Sequence, residues 1–429
     1  MSYEEWENNE EIKYLRDYLR IPTVHPDPNY EPAVEFLKRQ AAELNFPVSI
    51  YTPFDEANPI VIMTWEGEEP ELPTIFLNSH MDVVPVFPEN WTRAPFSADM
   101  DASGNIYARG AQDMKCCGAW YMAAIRGLKR QGCRFRRTIH ICFVPDEEMG
   151  GRRGMRAFFE TEDFRKLNVG CGLDEGLAST GESIPVFYGE RTVWRKCNRN
   201  LIDNIVNHFN SHSRLCDVGM TFRASGQAGH GSMLLSNTAG EKINYIINKM
   251  MAFRQTQVDR LLSDKALRMG DVTTVNLTRL GGGVQSNVVP PLLTAGFDTR
   301  IALDVDLVKH EKQLYKWCEE AGGGVEIDFD QKHPYVDPSS IDCNKNPYWR
   351  TFIRATCDLG LTIEPQIFNG GTDSRYLRRL GIPAYGFFPL HHHLILLHDH
   401  DEYVNAGIYL KGIPIYQRII ADLANIERQ

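Results

Sequence analysis

Several short segments hold the residues best able to do chemistry: His80-Met-Asp82, Asp113, Asp146-Glu147-Glu148, Asp174-Glu175 and His398-Asp-His400-Asp-Glu402. An imidazole among several carboxylates is a suitable shell for Zn²⁺, whose borderline character accepts both nitrogen and oxygen donors. Two such ions ~3.5–4 Å apart usually share a bridging ligand and clamp both an attacking water and the carbonyl it attacks. Asp113, standing in the turn before a helix, is the natural bridge. Glu147 and Glu148 are neighbours, and in a turn they need not point opposite ways as they would in a strand. One can then hold metal while the other manages a proton. Without cations, the mutual repulsion of so many gathered carboxylates would raise their pKa values and oppose the fold.

Each of these residues alone has a plainer reading as a solvated loop residue, a helix cap or a turn. The cluster is stronger than its members because of the elements that carry it. Apolar runs at Val48–Tyr51, Ile60–Thr64, Thr74–Leu77, Thr138–Val144 and Val169–Leu173 predict strands, and helical patterns cover 4–19, 32–44, 114–128 and 152–160. Strands alternating with helices indicate an α/β domain with a mostly parallel sheet. The acidic segments follow the strands ending at Leu77, Val144 and Leu173, and open α/β sheets bind ligands beyond the carboxyl ends of their strands.

The middle of the chain reads differently. Strands at 222–225, 272–280, 292–300 and 325–329, with helices over 239–253 and 305–321, give the order βαββαβ of a ferredoxin-like α+β sandwich. After His333-Pro334 the α/β style resumes, ending in a helix over 405–424. The expected layout is therefore a first domain, 1–190 and 333–429, interrupted by an inserted domain, 191–332.

With 429 residues and 43% hydrophobic content, the chain can bury a sizeable core and should divide into more than one unit. A formal charge of −10 makes its surface a poor general match for nucleic acid or anionic membrane. The opening MSYEEWENNE lacks the positive charge and apolar core of a secretory signal, so a cytoplasmic protein with reduced cysteines is expected. Cys116, Cys142 and Cys171 read as small core residues, and His391 to His393 as a polar loop rather than a ligand set. Gly281-Gly-Gly283 fits no nucleotide-binding pattern. Gly370-Gly-Thr-Asp373 could expose backbone N–H groups, while Arg375 could hold a carboxylate bidentately or make a plain surface ion pair.

The segments His80-Met-Asp82, 108–115 (ARGAQDMK), 143–151 (FVPDEEMGG) and 172–176 (GLDEG) closely resemble the dinuclear zinc M20 metallopeptidases, and among them the aminoacylases. Gly229-His230-Gly-Ser232 and 397–402 (LHDHDE) extend the resemblance over nearly the whole chain. It implies a zinc-peptidase-like catalytic domain interrupted by a lid and dimerisation domain, two Zn²⁺ per subunit, and a small N-acyl amino acid as substrate. His80 and Glu175 would hold the first zinc, Glu148 and His398 the second, and Asp113 would bridge, with His400 the alternative to His398. The Asp82 carboxylate would orient His80, and Glu147 would act as base and acid. His230 would stabilise the oxyanion, Asn287 would help hold the substrate or lid, and Arg375 would bind the free carboxylate. A homodimer through the inserted domain is also implied.

One stretch departs from the family pattern: a polar insertion from about Lys196 to Met220 interrupts the strand expected where the lid domain begins. It is either a tolerated surface loop or the mark of an altered splice product with an impaired lid or dimer. Two rival readings remain at this point, a dipeptidase or other M20 amidohydrolase, and a metal-stabilised binding homologue that has lost catalysis.

Overall fold

A computed structural model describes residues 2–195, 220–329 and 331–427. The insertion at 196–219, and with it the expectation of an interrupted strand, lies outside the described residues; Met220 opens the strand Met220–Ser225. The chain forms two compact units, one of Met1–Gly189, Asp337–Gln366 and Thr372–Gln429, the other of Glu190–Val336 with Ile367–Gly371.

The first unit is built on an eight-stranded sheet. Its middle strands, Ile139–Val144, Thr74–His80, Val169–Asp174 and Ala384–Phe387, lie side by side in that order and run parallel. Antiparallel strands flank them: Ile60–Trp65 on one side and Ile184–Glu190 on the other. Parallel strands need both faces covered, and the side chains divide accordingly. Ile75, Leu77, Ile141 and Phe143 enter one apolar core, while Phe76, Cys142 and Val144 enter a second on the opposite face. Cys116, Cys142 and Cys171 are fully buried free thiols, as their apolar settings suggested.

The helix Lys115–Arg130 connects the first two of these parallel strands and is buried for most of its length. Gly118 lets it approach the sheet: a Cβ there would sit 2.7 Å from Ser79 Oγ and 2.8 Å from the Phe143 ring. On its other side Trp120 stacks on Tyr409 of the C-terminal helix Ala406–Ala424, with ring centroids 5.3 Å apart, and donates its indole N–H to the Tyr409 carbonyl. The helix start, and with it Asp113, is thereby locked over the end of the strand carrying His80.

The single N-terminal helix expected over 4–19 is broken. Asn9 ends Tyr3–Asn8 and caps Glu10–Leu19, its Oδ1 accepting from the N–H groups of Glu11 and Ile12. The helix expected over 152–160 is shorter, Met155–Phe158, and a further short helix that the pattern did not predict, Glu162–Lys166, follows with the Thr161 hydroxyl as its cap.

In the second unit, Val325–Asp328, Met220–Ser225, Leu292–Ile301 and Thr274–Gly282 form an antiparallel sheet in that spatial order. Numbered along the chain this is 4-1-3-2, the ferredoxin-like arrangement, and the helices Ala239–Ser263 and Leu307–Glu320 share its core. The sequence pattern omits Thr192–Arg195, which pairs beside Leu292–Ile301 and extends the sheet. Among the described residues, no helix is long and apolar enough to cross a membrane.

Candidate active site

The parallel strands end on one side of the sheet, and the chemistry-bearing residues gather there. His80 is the last residue of its strand, Glu175 follows the strand ending at Asp174, and Glu147 and Glu148 lie in the turn after Val144. That turn is set by Asp146, which takes φ 66°, a left-handed conformation Asp tolerates better than most residues. Its carbonyl accepts from Gly151 N–H and its Oδ2 from Arg153 N–H. The first two glutamates thus project from a fixed corner.

Asp113 stands between two imidazoles. Its Oδ1 is 3.0 Å from His80 Nε2 and its Oδ2 is 3.0 Å from His398 Nε2. His80 Nε2 also lies 3.7 Å from Glu175 Oε2, and His398 Nε2 lies 3.1 Å from Glu148 Oε2. Two ligand groups result, His80–Asp113–Glu175 and Asp113–Glu148–His398, with donor atoms in each within 4.8 Å of one another. They share Asp113, which offers one oxygen to each side. Glu148 Oε1 is buried with no hydrogen-bond partner, a position that an ion would satisfy. The donor set of imidazole and carboxylate therefore fits two zinc ions. His400 is not in either group; its ring packs edge-on to Phe87.

The electrostatics point the same way. Against burial, hydrogen bonds from His398 and His80 hold the Asp113 carboxyl well below the usual carboxylate range. Hydrogen bonds to Asp113 and Glu148 push His398 up to about 11, and similar contacts with Asp113 and Glu175 raise His80 despite its burial. Burial and then the Asp113 charge push Glu148 and Glu175 up. Burial, Glu175 and Asp373 raise Glu147, while Arg375 opposes the rise from 3.5 Å. Carboxylates packed this closely are costly as anions unless divalent cations sit among them.

Asp82 requires a correction. The hydrogen bond that orients His80 comes from the Asp82 main-chain carbonyl, 2.8 Å from Nδ1; the carboxylate is 3.6 Å away. The carboxylate instead accepts the N–H groups of Glu147 and Glu148, both at 3.1 Å, and pairs with His25 Nε2 at 2.8 Å. It fixes the turn that carries the two glutamates, because backbone donors reach it first.

Three residues have supporting roles that the sequence did not assign, although Asp174 and Glu402 stand in the segments singled out there. Glu402, fully buried, accepts from Arg109 Nη1 and Gly110 N–H through Oε2, and from Gln112 and Asp113 N–H through Oε1. Arg109 continues to the His398 and Asp399 carbonyls, so one carboxylate joins the Asp113 turn to the loop bearing His398. Asp174 accepts from Asn78, Ser374 and Glu175 N–H and so anchors Glu175. His25 is the third. Only the three-dimensional pairing reveals them, since Arg109 and Glu402 are 293 residues apart.

His230 and Asn287 belong to the second unit. His230 pairs with Val288 in a two-stranded ribbon, and the Asn287 carbonyl accepts from Gly231 N–H at 2.7 Å, so the two residues lie together at one ribbon although a helix and a strand separate them in the chain.

The sequence family described as Peptidase family M20/M25/M40 matches residues 76–422, a span that includes every strand end of the site. This chain belongs to that family. Within it, the M20 chain is 42% identical over 425 residues to aminoacylase-1 of Homo sapiens, covering 98% of this chain and 97% of the relative. It is 40% identical over 433 residues to aminoacylase-1 of Dictyostelium discoideum, covering 98% and 99%. An M20 family metallo-carboxypeptidase from Sulfolobus solfataricus shares the fold, with a TM-score of 0.72 over 97% of this chain and 99% of that one at 18% identity.

Glu402 provides a test of how the centre is built. Replacing it with Ala should weaken zinc binding about 10–100-fold, as loss of an outer partner of a metal ligand typically does. Competition against a chromogenic chelator reads the change, and unaltered affinity would show that the Asp113 turn holds itself.

Proposed function

We propose that this M20 chain hydrolyses N-acyl-L-amino acids, releasing a carboxylate and the free amino acid, with acetyl as the acyl group and hydrophobic side chains preferred. The similarity to aminoacylase-1 over nearly the full length of both chains supports the reaction class. One observation carries the substrate class: Arg375 Nη2 lies 3.5 Å from Glu147 Oε1. In an N-acyl amino acid the free carboxylate is attached to the carbon next to the scissile nitrogen. A guanidinium beside the group that must protonate that nitrogen therefore suits a substrate whose charge sits next to its amide.

The roles follow from position. His80 and Glu175 would hold one zinc, Glu148 and His398 the other, with Asp113 between them. When bound, the two ions supply Lewis acidity that polarises the acyl carbonyl and makes water near them easier to deprotonate. Glu147, buried at the same corner, takes a proton from the attacking water. The acyl C–N bond breaks as Glu147 returns that proton to the departing amine. Asp82 holds Glu147 and Glu148 in register through their N–H groups. Arg375 fixes the substrate carboxylate, and Asn287 helps to hold the substrate. His230 donates to the oxyanion that develops at the acyl oxygen. It is carried by the unit through which, in this reading, two chains pair in the cytoplasm.

Replacing Glu147 with Gln should leave the zinc content unchanged and lower kcat by about 10²–10⁴-fold, the usual contribution of a positioned base. Retained turnover of N-acetyl-methionine would remove Glu147 from the reaction. For Arg375→Ala, kcat/KM on N-acyl acids should fall about 10–100-fold, in line with ~1.5–3 kcal/mol for charged hydrogen bonds, while N-acyl amino amides change little. An equal loss on acids and amides would contradict carboxylate capture, and faster turnover of unblocked dipeptides than of N-acetyl-methionine would favour a dipeptidase.

A further inference from the structure

The loop after the strand Ala384–Phe387 carries His391, His392 and His393, none of which belongs to the centre described above. Two of them meet a carboxylate. Donor atoms of Glu182, His391 and His392 lie within 4.8 Å of one another. Consecutive residues of an extended chain face opposite ways, but His392 takes φ 53° and breaks that alternation. The His391 and His392 rings stand with centroids 5.0 Å apart and planes at 57°.

Backbone hydrogen bonds hold the carboxylate opposite these rings. Ser179 N–H donates to the Leu390 carbonyl at 2.8 Å, His393 N–H to Ser179 at 2.9 Å and His392 N–H to Gly181 at 3.2 Å. The segment that ends at Glu182 is thus zipped to the histidine loop, and the three side chains do not converge by chance of rotamer alone.

A surface hydrogen bond explains part of the group. His392 Nε2 is 2.7 Å from Glu182 Oε2, with side chains 56% and 73% exposed, and an exposed pair of this kind contributes ~0–1 kcal/mol. It leaves His391 unexplained. The Nδ1 of His391 is shut off from solvent and has no hydrogen-bond partner, which costs about 1–3 kcal/mol for a buried polar atom. Two imidazoles and one carboxylate are a donor set for a borderline divalent cation, with remaining positions open to water.

We propose that Glu182, His391 and His392 bind a transition cation of the Zn²⁺ or Ni²⁺ class at a site separate from the dinuclear centre. Its exposure makes it the weaker and faster-exchanging site. Because the same loop runs on to His398, a bound cation also ties the approach to that ligand to the Ser179–Glu182 segment.

The test uses the full chain without a histidine tag, stripped with a chelator and dialysed against buffered Ni²⁺ or Zn²⁺, with bound metal counted by atomic emission. The native chain should take up a third, weaker equivalent beyond the pair held around Asp113. Joint His391→Asn and His392→Asn replacement should remove that equivalent and leave the tighter ones intact. Glu182→Gln, a substitution at an exposed position, should weaken it about 10-fold or more without removing the histidines. Absence of a third equivalent in the native chain, or its persistence in the double variant, overturns the proposal. The readout is metal stoichiometry, so it stands apart from whether N-acyl amino acids are the substrate.

Discussion

The site depends on one carboxylate shared between two imidazoles. Asp113 gives Oδ1 to His80 and Oδ2 to His398, and those histidines come from opposite ends of the chain. Nothing local brings them together. The arrangement needs the sheet to deliver His80, the C-terminal loop to deliver His398, and a rigid turn to hold Asp113 midway. Helix Lys115–Arg130 supplies the last by packing tightly on Ser79 and Phe143 through Gly118. Glu402 supplies the rest, with its four hydrogen bonds to residues of the 109–113 turn.

This division of labour explains why so much buried charge is tolerated. Asp82 and Glu402 have oxygens saturated by backbone N–H groups, His25 or Arg109, so they act as fixed struts, even though burial pushes the Glu402 carboxyl up. Asp174 serves similarly beneath Glu175. Glu148 and Glu175 meet mainly imidazole and the Asp113 charge, and burial drives them toward protonation. Carboxylates of the first kind shape the site without metal; those of the second kind need cations to be at rest as anions. Asp174 and Glu175 are adjacent in the sequence, yet their tasks differ because their partners differ.

Much of this was legible in the sequence. The strand ends beside His80, Glu147 and Glu175 followed from apolar runs and their polar successors, and the βαββαβ order of the inserted unit is present as the 4-1-3-2 sheet. What could not be read were pairings across the chain. The role of Glu402 depends on Arg109, which no local pattern connects to it. The Asp82 carboxylate turned out to serve the Glu147–Glu148 turn, because its main-chain carbonyl already holds His80. Periodicity also missed the break at Asn9, where a side-chain cap outweighs a continuous helical pattern. His391 to His393 read as a polar loop because the partner carboxylate, Glu182, lies more than 200 residues earlier.

The claim beneath all of this is that the residues around Asp113 house a pair of cations. Anomalous X-ray scattering measured at the zinc absorption edge from zinc-loaded crystals tests it most directly. Two peaks ~3.5–4 Å apart, one on each side of the Asp113 carboxylate, are the expected result. A single peak, or peaks lying away from Asp113, would contradict the account.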